Sequence, residues 1–461
     1  MLAAHAPEHT GAPAWRDRAR ALGTTWSRSI SGKETWALNR KLLSLVAALM
    51  IAGVACGGST SSPSGPVNLT LWHNYGTEAN ATVTESLAKA YMAKNPNVKI
   101  ELVSQPADNY FALLKAAAIA KSGPDMMTMW TGLFALQNQA YLEPLNSYIK
   151  VDELKKFTGI DWCSRDLAVD KGAICVPLDI QHYNGFYNKE LFAKAGVDKV
   201  PTKWDELYAA CDKFKTAGIQ GFAYGTGGQA LNAGFYPYYD LSYLMMFMPV
   251  NEWKNLFSGK TAWTDPAVVA QLTKWADLKT RGCTNEDVLT NTESVAQFVA
   301  GEAAMTLEGS WNFAEFYEKM GDNVGVFLPP FSDTPIAGVV EFPGNGFGVT
   351  SYSGHKAESA AFLAWIATPE AQQLIADGGL IPTVAGNNPS APLAKAMLEF
   401  GAGGATRYPM IDNVMQPEVV DVATKVLNAI LAGTMSPQDA AQKITDALNA
   451  LPADRRGDSY Q

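Results

Sequence analysis

From residue 67 the chain switches between two periods. Residues 67–72 place an apolar side chain at every second position and run into the polar His73-Asn74-Tyr75, which marks a strand entering a turn. Residues 78–95 repeat at helical spacing, with Val83, Leu87, Ala90 and Tyr91 on one face, until Asn95-Pro96 stops them. Alternation returns over 98–103. Asp108 opens a second helix that reaches Lys121, Gly123-Pro124 breaks it, and 125–130 form a third strand. This βαβαβ order predicts a parallel sheet with right-handed crossovers. Ligands of such sheets bind beyond the carboxyl ends of the strands. The candidates there are His73, Asn74 and Tyr75 after the first strand, and Trp130, Thr131 and Gly132 after the third.

Later helices announce themselves by caps. Thr202 with Asp205 three residues on predicts one start. Asp265-Pro266, Thr368-Pro369 and Ser436-Pro437 each set a capping side chain before a first-turn proline. These hydroxyls and carboxylates are therefore expected to be structural. Trp204, Trp275 and Trp365 sit inside amphipathic stretches and are expected in the core.

The amino-terminal region reads differently. An apolar run from Leu42 to Ala55 follows Arg40-Lys41, precedes Cys56, and leads into the Gly/Ser/Pro-rich residues 57–66. Fourteen residues are too few to span a bilayer, which needs about 20, but they suit a cleaved export signal. With Gly53 and Ala55 as small residues at the cut, the pattern predicts a lipoprotein signal with the lipid on Cys56. Gly53 stands where that signal usually has leucine, and simple secretion is the competing reading. Residues 1–56 are thus assigned to leader and signal, and 57–66 to a linker. The protein is expected outside the cytoplasm, on the membrane surface.

The remaining ~405 residues exceed one ordinary core, which predicts two lobes. The chain carries a net charge of −9, and residues 1–55 hold more bases than acids, so the remainder is more acidic still. Such a surface repels phosphate backbones and argues against nucleic acid as a partner. If Cys56 is lipidated, four of the five cysteines remain. Four allow three pairings. Cys163 with Cys175 would close a short hairpin, and Cys211 with Cys283 would tie two helices. No C-x-x-C or H-x-x-x-H spacing supports a metal site, and no cofactor is expected.

Several stretches resemble the extracellular sugar-binding proteins of ATP-driven (ABC) importers, the group that includes the maltose-binding protein. They are Leu69-Thr70-Leu71-Trp72, Gly123-Pro124-Asp125, Tyr187-Asn188-Lys189-Glu190-Leu191-Phe192 and Pro201-Thr202-Lys203-Trp204. Gly301-Glu302-Ala303-Ala304-Met305-Thr306, Gly309-Ser310-Trp311, Gly346-Phe347-Gly348-Val349 and Gly378-Gly379-Leu380-Ile381-Pro382-Thr383 follow in the same order. The resemblance spans about residues 67–450. It implies an α/β fold of two lobes around a cleft, the type II periplasmic-binding-protein arrangement. One lobe would hold 67–177 and 335–378, the other 178–334 and 379–461. Crossings are expected at 176–180, near 329–343 and near 379–383. It also implies a monomer that closes on a sugar and docks on membrane permease subunits.

Sugar recognition asks for aromatic faces against the ring and planar polar groups for its hydroxyls. By resemblance Trp311 is the stacking platform, Trp130 a second, Asn74 a polar contact, and Gln181 stands where the maltose-binding protein has a carboxylate. His182 beside it could bond a hydroxyl. Tyr236 and Tyr238 sit in an aromatic-rich segment read as a loop, 225–243, and Asn345 and Phe347 in a glycine-rich turn. The last loop offers Arg407-Tyr408 and Met415-Gln416. Asp179, Asp240 and Glu308 are carboxylates expected at loop tips, and Glu308 is also a ligand candidate. A secreted glycosidase would need a pair of them, but no G-x-S-x-G or H-E-x-x-H accompanies them. A binding role for a different solute, such as a polyamine, a polyol, phosphate or ferric ion, is the second rival to a sugar receptor.

Overall fold

The computed structural model describes residues 65–456, except 77, 107–108, 228–234 and 387 and the side chains of 235 and 236. Cys56 lies outside the described residues, as do Asp108 and the Tyr236 side chain. In chain order the strands are β1 (Val67–His73), β2 (Val98–Ser104), β3 (Met126–Trp130), β4 (Val176–Pro177), β5 (Asp179–Asn188), β6 (Gln220–Ala223), β7 (Ala303–Gly309), β8 (Val324–Phe327), β9 (Gly338–Pro343), β10 (Asn345–Val349), β11 (Ile381–Pro382) and β12 (Thr406–Tyr408).

They form two sheets. The first has the order β2-β1-β3-β10-β4. Its β2-β1-β3 half is parallel, as the alternating pattern requires, and β10 adds antiparallel to β3 and β4. The second sheet is built on β5, which pairs antiparallel with β7, β8, β9 and β11; β6 extends it beyond β7 and β12 beyond β9. The first sheet packs on one apolar core and the second on two, the smaller of which holds Phe186, Val326, Val339 and Phe316. Leu69, Leu71, Val83, Leu87 and Met129 belong to the first sheet's core. Phe222, Leu272, Met305 and Leu427 belong to the second sheet's larger core.

The first helix, α1 (Ala79–Lys94), buries Val83, Leu87 and Tyr91 as its spacing predicts, with Thr84 and Ala88 completing the stripe in place of Ala90. The second, α2 (Tyr110–Ala120), buries Tyr110 and Leu114. Asp265, Thr368 and Ser436 cap their helices through the side chain. Thr202 does not begin its helix: Lys203 does, and the Thr202 N–H and hydroxyl both donate to Glu206. Trp204 and Trp275 are fully buried, and Trp365 is partly buried, edge-on to Tyr91.

The chain changes sheet three times: between β4 and β5 at Leu178, between β9 and β10 at Gly344, and after the helix Pro369–Asp377 on the way into β11. The second change differs from the boundary at 335. β9 pairs with β5 from Ile180↔Pro343 to Tyr183↔Val340, so it stays in the second sheet. Prolines 329, 330 and 335 punctuate a connection within that half instead.

Both disulfides form as expected. Cys163–Cys175, with Cα atoms 5.0 Å apart, closes a segment of two 3-10 turns rather than a regular hairpin. Cys211–Cys283, at 5.2 Å, ties the helix Trp204–Thr216 to the end of the helix Pro266–Thr280. Replacing Cys211 and Cys283 together by alanine is expected to lower the unfolding free energy by about 2–4 kcal/mol, because the longer loop is then free in the unfolded chain. Urea unfolding measures this, and an unchanged midpoint would refute the assignment.

Candidate functional site

A cleft of about 780 Å³, mouth included, opens where the two sheets meet. The first sheet supplies Asn74 and Tyr75 after β1, Glu78 at the start of α1, and Trp130 and Thr131 at the end of β3. These are the carboxyl ends of parallel strands, where backbone leaves the sheet and side chains are free to face a ligand. The second supplies Gln181 from β5, Tyr239 from the helix Phe235–Leu244, Trp311 after β7 and Phe342 from β9. Gly344 and Asn345 at the crossing and Met410, Asp412 and Asn413 from the turn after β12 complete the wall.

Two tryptophans are partly buried in the wall. Trp130 is held edge-on by Phe111 at 4.9 Å and Phe134 at 4.8 Å. Trp311 lies on Gly309: a β-carbon there would overlap the six-membered ring of the indole. Glu308, fully buried behind it, is hydrogen-bonded by Trp311, so the ring is fixed from its face and its N–H. Thr131 donates its hydroxyl to the Pro343 carbonyl, joining the two sheets beside the crossing. Gln181 donates to Asp179 at 3.1 Å, and Asp179 also accepts from Asn80 at 3.4 Å. Gly344 leaves the space that the Gln181 side chain fills.

The electrostatics are one-sided. No Lys, Arg or His is among the described lining residues, whereas Glu78 and Asp412 are. Burial raises the Asp412 carboxyl to about 7 and the Asp179 carboxyl to about 6. Glu78 keeps much of its surface open to the cleft, but low-dielectric walls and the nearby Asp179 push its carboxyl upward as well. Burial also pushes Glu308 well up. Asp412 Oδ1 and Asn74 Oδ1 are buried without a hydrogen-bond partner.

Other expected site residues lie elsewhere. His182 neighbours Gln181 on β5, and successive strand residues face opposite sides. It is fully buried away from the cleft, 3.6 Å from Glu341, with a pKa lowered to about 4 by burial. Phe347 lies two residues inside β10 and fills the first core. Tyr238 is fully buried in the second. The segment read as a loop is helical over Phe235–Leu244, which sends Tyr238 inward and Tyr239 to the cleft. The three expected loop-tip carboxylates are all buried. Asp240 accepts from Tyr183, Tyr224 and Trp275 at 2.8–2.9 Å, which makes it a structural hub.

The family model of the bacterial extracellular solute-binding proteins matches residues 75–373. The chain belongs to this family. An ABC transporter extracellular-binding protein of Pyrococcus horikoshii is 25% identical over 439 residues, covering 89% of this chain and 96% of the relative. The sn-glycerol-3-phosphate-binding periplasmic protein UgpB of Escherichia coli is 24% identical over 448 residues, covering 89% and 98%. Among solved structures, a chitin oligosaccharide binding protein matches with a TM-score of 0.71 at 26% identity, covering 83% of this chain and 98% of that one. A maltose-bound T. maritima protein matches at 0.68 and 22% identity, covering 83% and 99%, and shares the fold.

In this solute-binding protein, sequence reasoning missed Glu78, Tyr239, Phe342, Gly344, Met410, Asp412 and Asn413 as cleft residues. Glu78 was legible only as a helix start. Tyr239 follows from helical rather than loop spacing. Met410, Asp412 and Asn413 fall between the pairs 407–408 and 415–416, where no periodic pattern marks the turn.

Two outcomes follow from this geometry. Gly309→Ala should displace the Trp311 ring and weaken ligand binding by about 10-fold without touching the ligand; tryptophan fluorescence titration reads this, and unchanged affinity would refute the packing role. Asp179, Asp240 and Asp412 carry folded-state pKa values raised to about 6, 7 and 7. The folded chain therefore holds protons that the unfolded chain has released above about pH 4, so their stabilising contribution is lost as pH rises toward 7. The melting temperature of the unliganded protein should fall from pH 5 to pH 8, and Asp240→Asn should flatten that slope. A melting temperature that rises over this range would contradict it.

Proposed function

We propose that the chain binds a sugar or oligosaccharide in the cleft and delivers it to the permease of an ABC importer. The observation that carries this reading is the wall itself: partly buried rings of Trp130, Trp311 and Tyr239, interleaved with the planar polar groups of Asn74, Gln181, Asn345 and Asn413. Rings cover the C–H face of a pyranose, and amides both donate to and accept from its hydroxyls. The similarity to a chitin oligosaccharide binding protein supports the same class. Loading closes the lobes about the three crossings, and the loaded monomer docks on its permease. A lipid on Cys56 tethers it to the membrane, with residues 57–66 as the linker. Family membership sets the location as extracytoplasmic. The cleft requires no cofactor for this role, and the protein acts as a receptor, not a glycosidase.

The name of the Escherichia coli relative raises a second ligand, a phosphate ester. The wall argues against it: no Lys, Arg or His is among the described lining residues, and Glu78 and Asp412 would repel a phosphate. A thermal-shift screen of sugars, polyols, polyamines and glycerol phosphate tests the reading. Stabilisation by sugars is expected; stabilisation by polyols, polyamines or glycerol phosphate alone would overturn it. Trp311→Ala should then weaken sugar binding by roughly 10-fold or more, about 1.5–3 kcal/mol, while the melting transition stays cooperative. Unchanged affinity would remove Trp311 as the platform.

A further inference from the structure

We infer that residues 157–163 form a strap that makes the three crossings act as one hinge, with Trp162 as its bearing on the second half of the cleft. The Cys163–Cys175 disulfide fixes the end of this strap. The inference concerns the hinge and does not depend on which ligand the cleft takes.

The strap touches each crossing in turn. The Thr158 N–H donates to the Thr383 carbonyl at 2.7 Å, just past β11 and the third crossing. Phe157 forms an isolated antiparallel bridge with Val384 beside it. Gly159 then lies on Pro343, the last residue of β9 before the second crossing: a β-carbon at 159 would stand 2.7 Å from the proline ring. Its φ of +78° also favours glycine. Cys163 is bonded to Cys175, which leads through β4 into the first crossing at Leu178. One short stretch thereby meets three crossings that are far apart in sequence.

The strap also reaches the other half of the molecule. Phe157, Ile160 and Cys163 are buried in the first sheet's core, but Trp162 packs against the larger core of the second sheet. Its carbonyl accepts from the Gly132 N–H at 2.8 Å. A β-carbon at Gly132 would stand 3.0 Å from Asn413 and 3.2 Å from the Trp162 ring, so the three residues meet at one point. Gly132 follows the cleft residues Trp130 and Thr131, and Asn413 lines the cleft from the second half. No residue of 157–163 is among the described lining residues. Trp162 is therefore a positioning residue, acting on the ligand site through Gly132 and Asn413.

Three separate crossings could twist independently, and each would add conformations to the empty cleft. Tying them to one strap removes that freedom. The disulfide matters because Trp162 directly precedes Cys163, so the cross-link limits how far its ring moves from the first crossing. A looser hinge lowers the share of molecules whose two walls already face each other, and the apparent affinity falls with that share.

Hydrogen exchange of the unliganded full chain, read by mass spectrometry, tests the strap without a ligand. The reporters are two crossing amides: Leu178, which donates to the Asn345 carbonyl at 2.7 Å, and Gly344, which donates to that of Asp179 at 2.9 Å. The helix Pro437–Ala450 is the reference. Trp162→Ala, and Cys163→Ala together with Cys175→Ala, should each speed exchange at the crossings about 10-fold more than in the reference helix. Trp162→Phe should restore most of the protection. Cys211→Ala together with Cys283→Ala lowers stability elsewhere and should leave exchange at the crossings unchanged. Trp162→Ala keeps both disulfides, so the test stands should the variant lacking Cys163 and Cys175 fail to fold. Equal acceleration at the crossings and in the reference helix would make the strap a general stabiliser and overturn the inference, as would unchanged exchange at the crossings. A second arm titrates maltotriose, raffinose and N-acetylated chitotriose by calorimetry. A probe that binds the unaltered chain should bind Trp162→Ala about 10-fold more weakly, and the variant lacking Cys211 and Cys283 equally well. Undiminished affinity in Trp162→Ala would overturn the link between strap and cleft.

Discussion

Strand β5 is the constraint on which the rest of the structure depends. It leaves the first sheet at Leu178 and then pairs with four strands of the second. Its first residues must therefore lie at the junction of the sheets, whatever their side chains prefer. Asp179 and Gln181 share the face at that junction, and the pleat turns His182 away. β9 and β11, the strands adjoining the other crossings, pair with the same end of β5. All three crossings are thus gathered at one edge of one strand. The cleft lies there because that is where the cores of the two sheets leave a seam.

The seam has a definite chemical character. Its aromatic rings are supported from behind, Trp130 by two phenylalanines and Trp311 by Gly309 and Glu308. A supported ring loses little freedom when a ligand lands on it, so less of the contact energy is spent on ordering. The polar groups are handled in two ways. Gln181 donates to one oxygen of Asp179, whereas Asp179 Oδ1, Asp412 Oδ1 and Asn74 Oδ1 are left open. Unmade hydrogen bonds in a buried wall cost the empty protein and favour whatever completes them. The same logic separates two buried aspartates of similar pKa. Asp240 has three donors and organises a core; Asp412 has an open oxygen and faces the cleft.

Legibility in the sequence followed the range of the interaction that decides each feature. The first βαβαβ unit, three of the four named caps, the burial of Trp204 and Trp275 and both disulfides were readable, because local period, capping chemistry and cysteine count decide them. Asn74, Tyr75, Trp130 and Thr131 were readable for a topological reason, since strand ends in a parallel sheet face outward. Gln181, Trp311 and Asn345 came from resemblance, and they do line the cleft. The errors share one cause. His182, Tyr238 and Phe347 each lie within two residues of a cleft residue but point into a core. Composition of a segment does not distinguish neighbours whose side chains diverge; only the register of the strand or helix does.

By itself the sequence determined the first parallel βαβαβ unit, most of the helix caps and the cysteine count, which follow from short-range periodicity and capping chemistry; the two-lobed arrangement and the choice of cleft residues came from resemblance to a family. Only the tertiary structure decided that the change of sheet falls at Gly344 rather than near 335, since β9 belongs to whichever strand it pairs with. Only it showed that Glu78 and Asp412, more than 300 residues apart in sequence, line one cleft with no Lys, Arg or His among its described lining residues. Nothing local links a helix start to a distant turn. Their meeting is fixed by the three crossings.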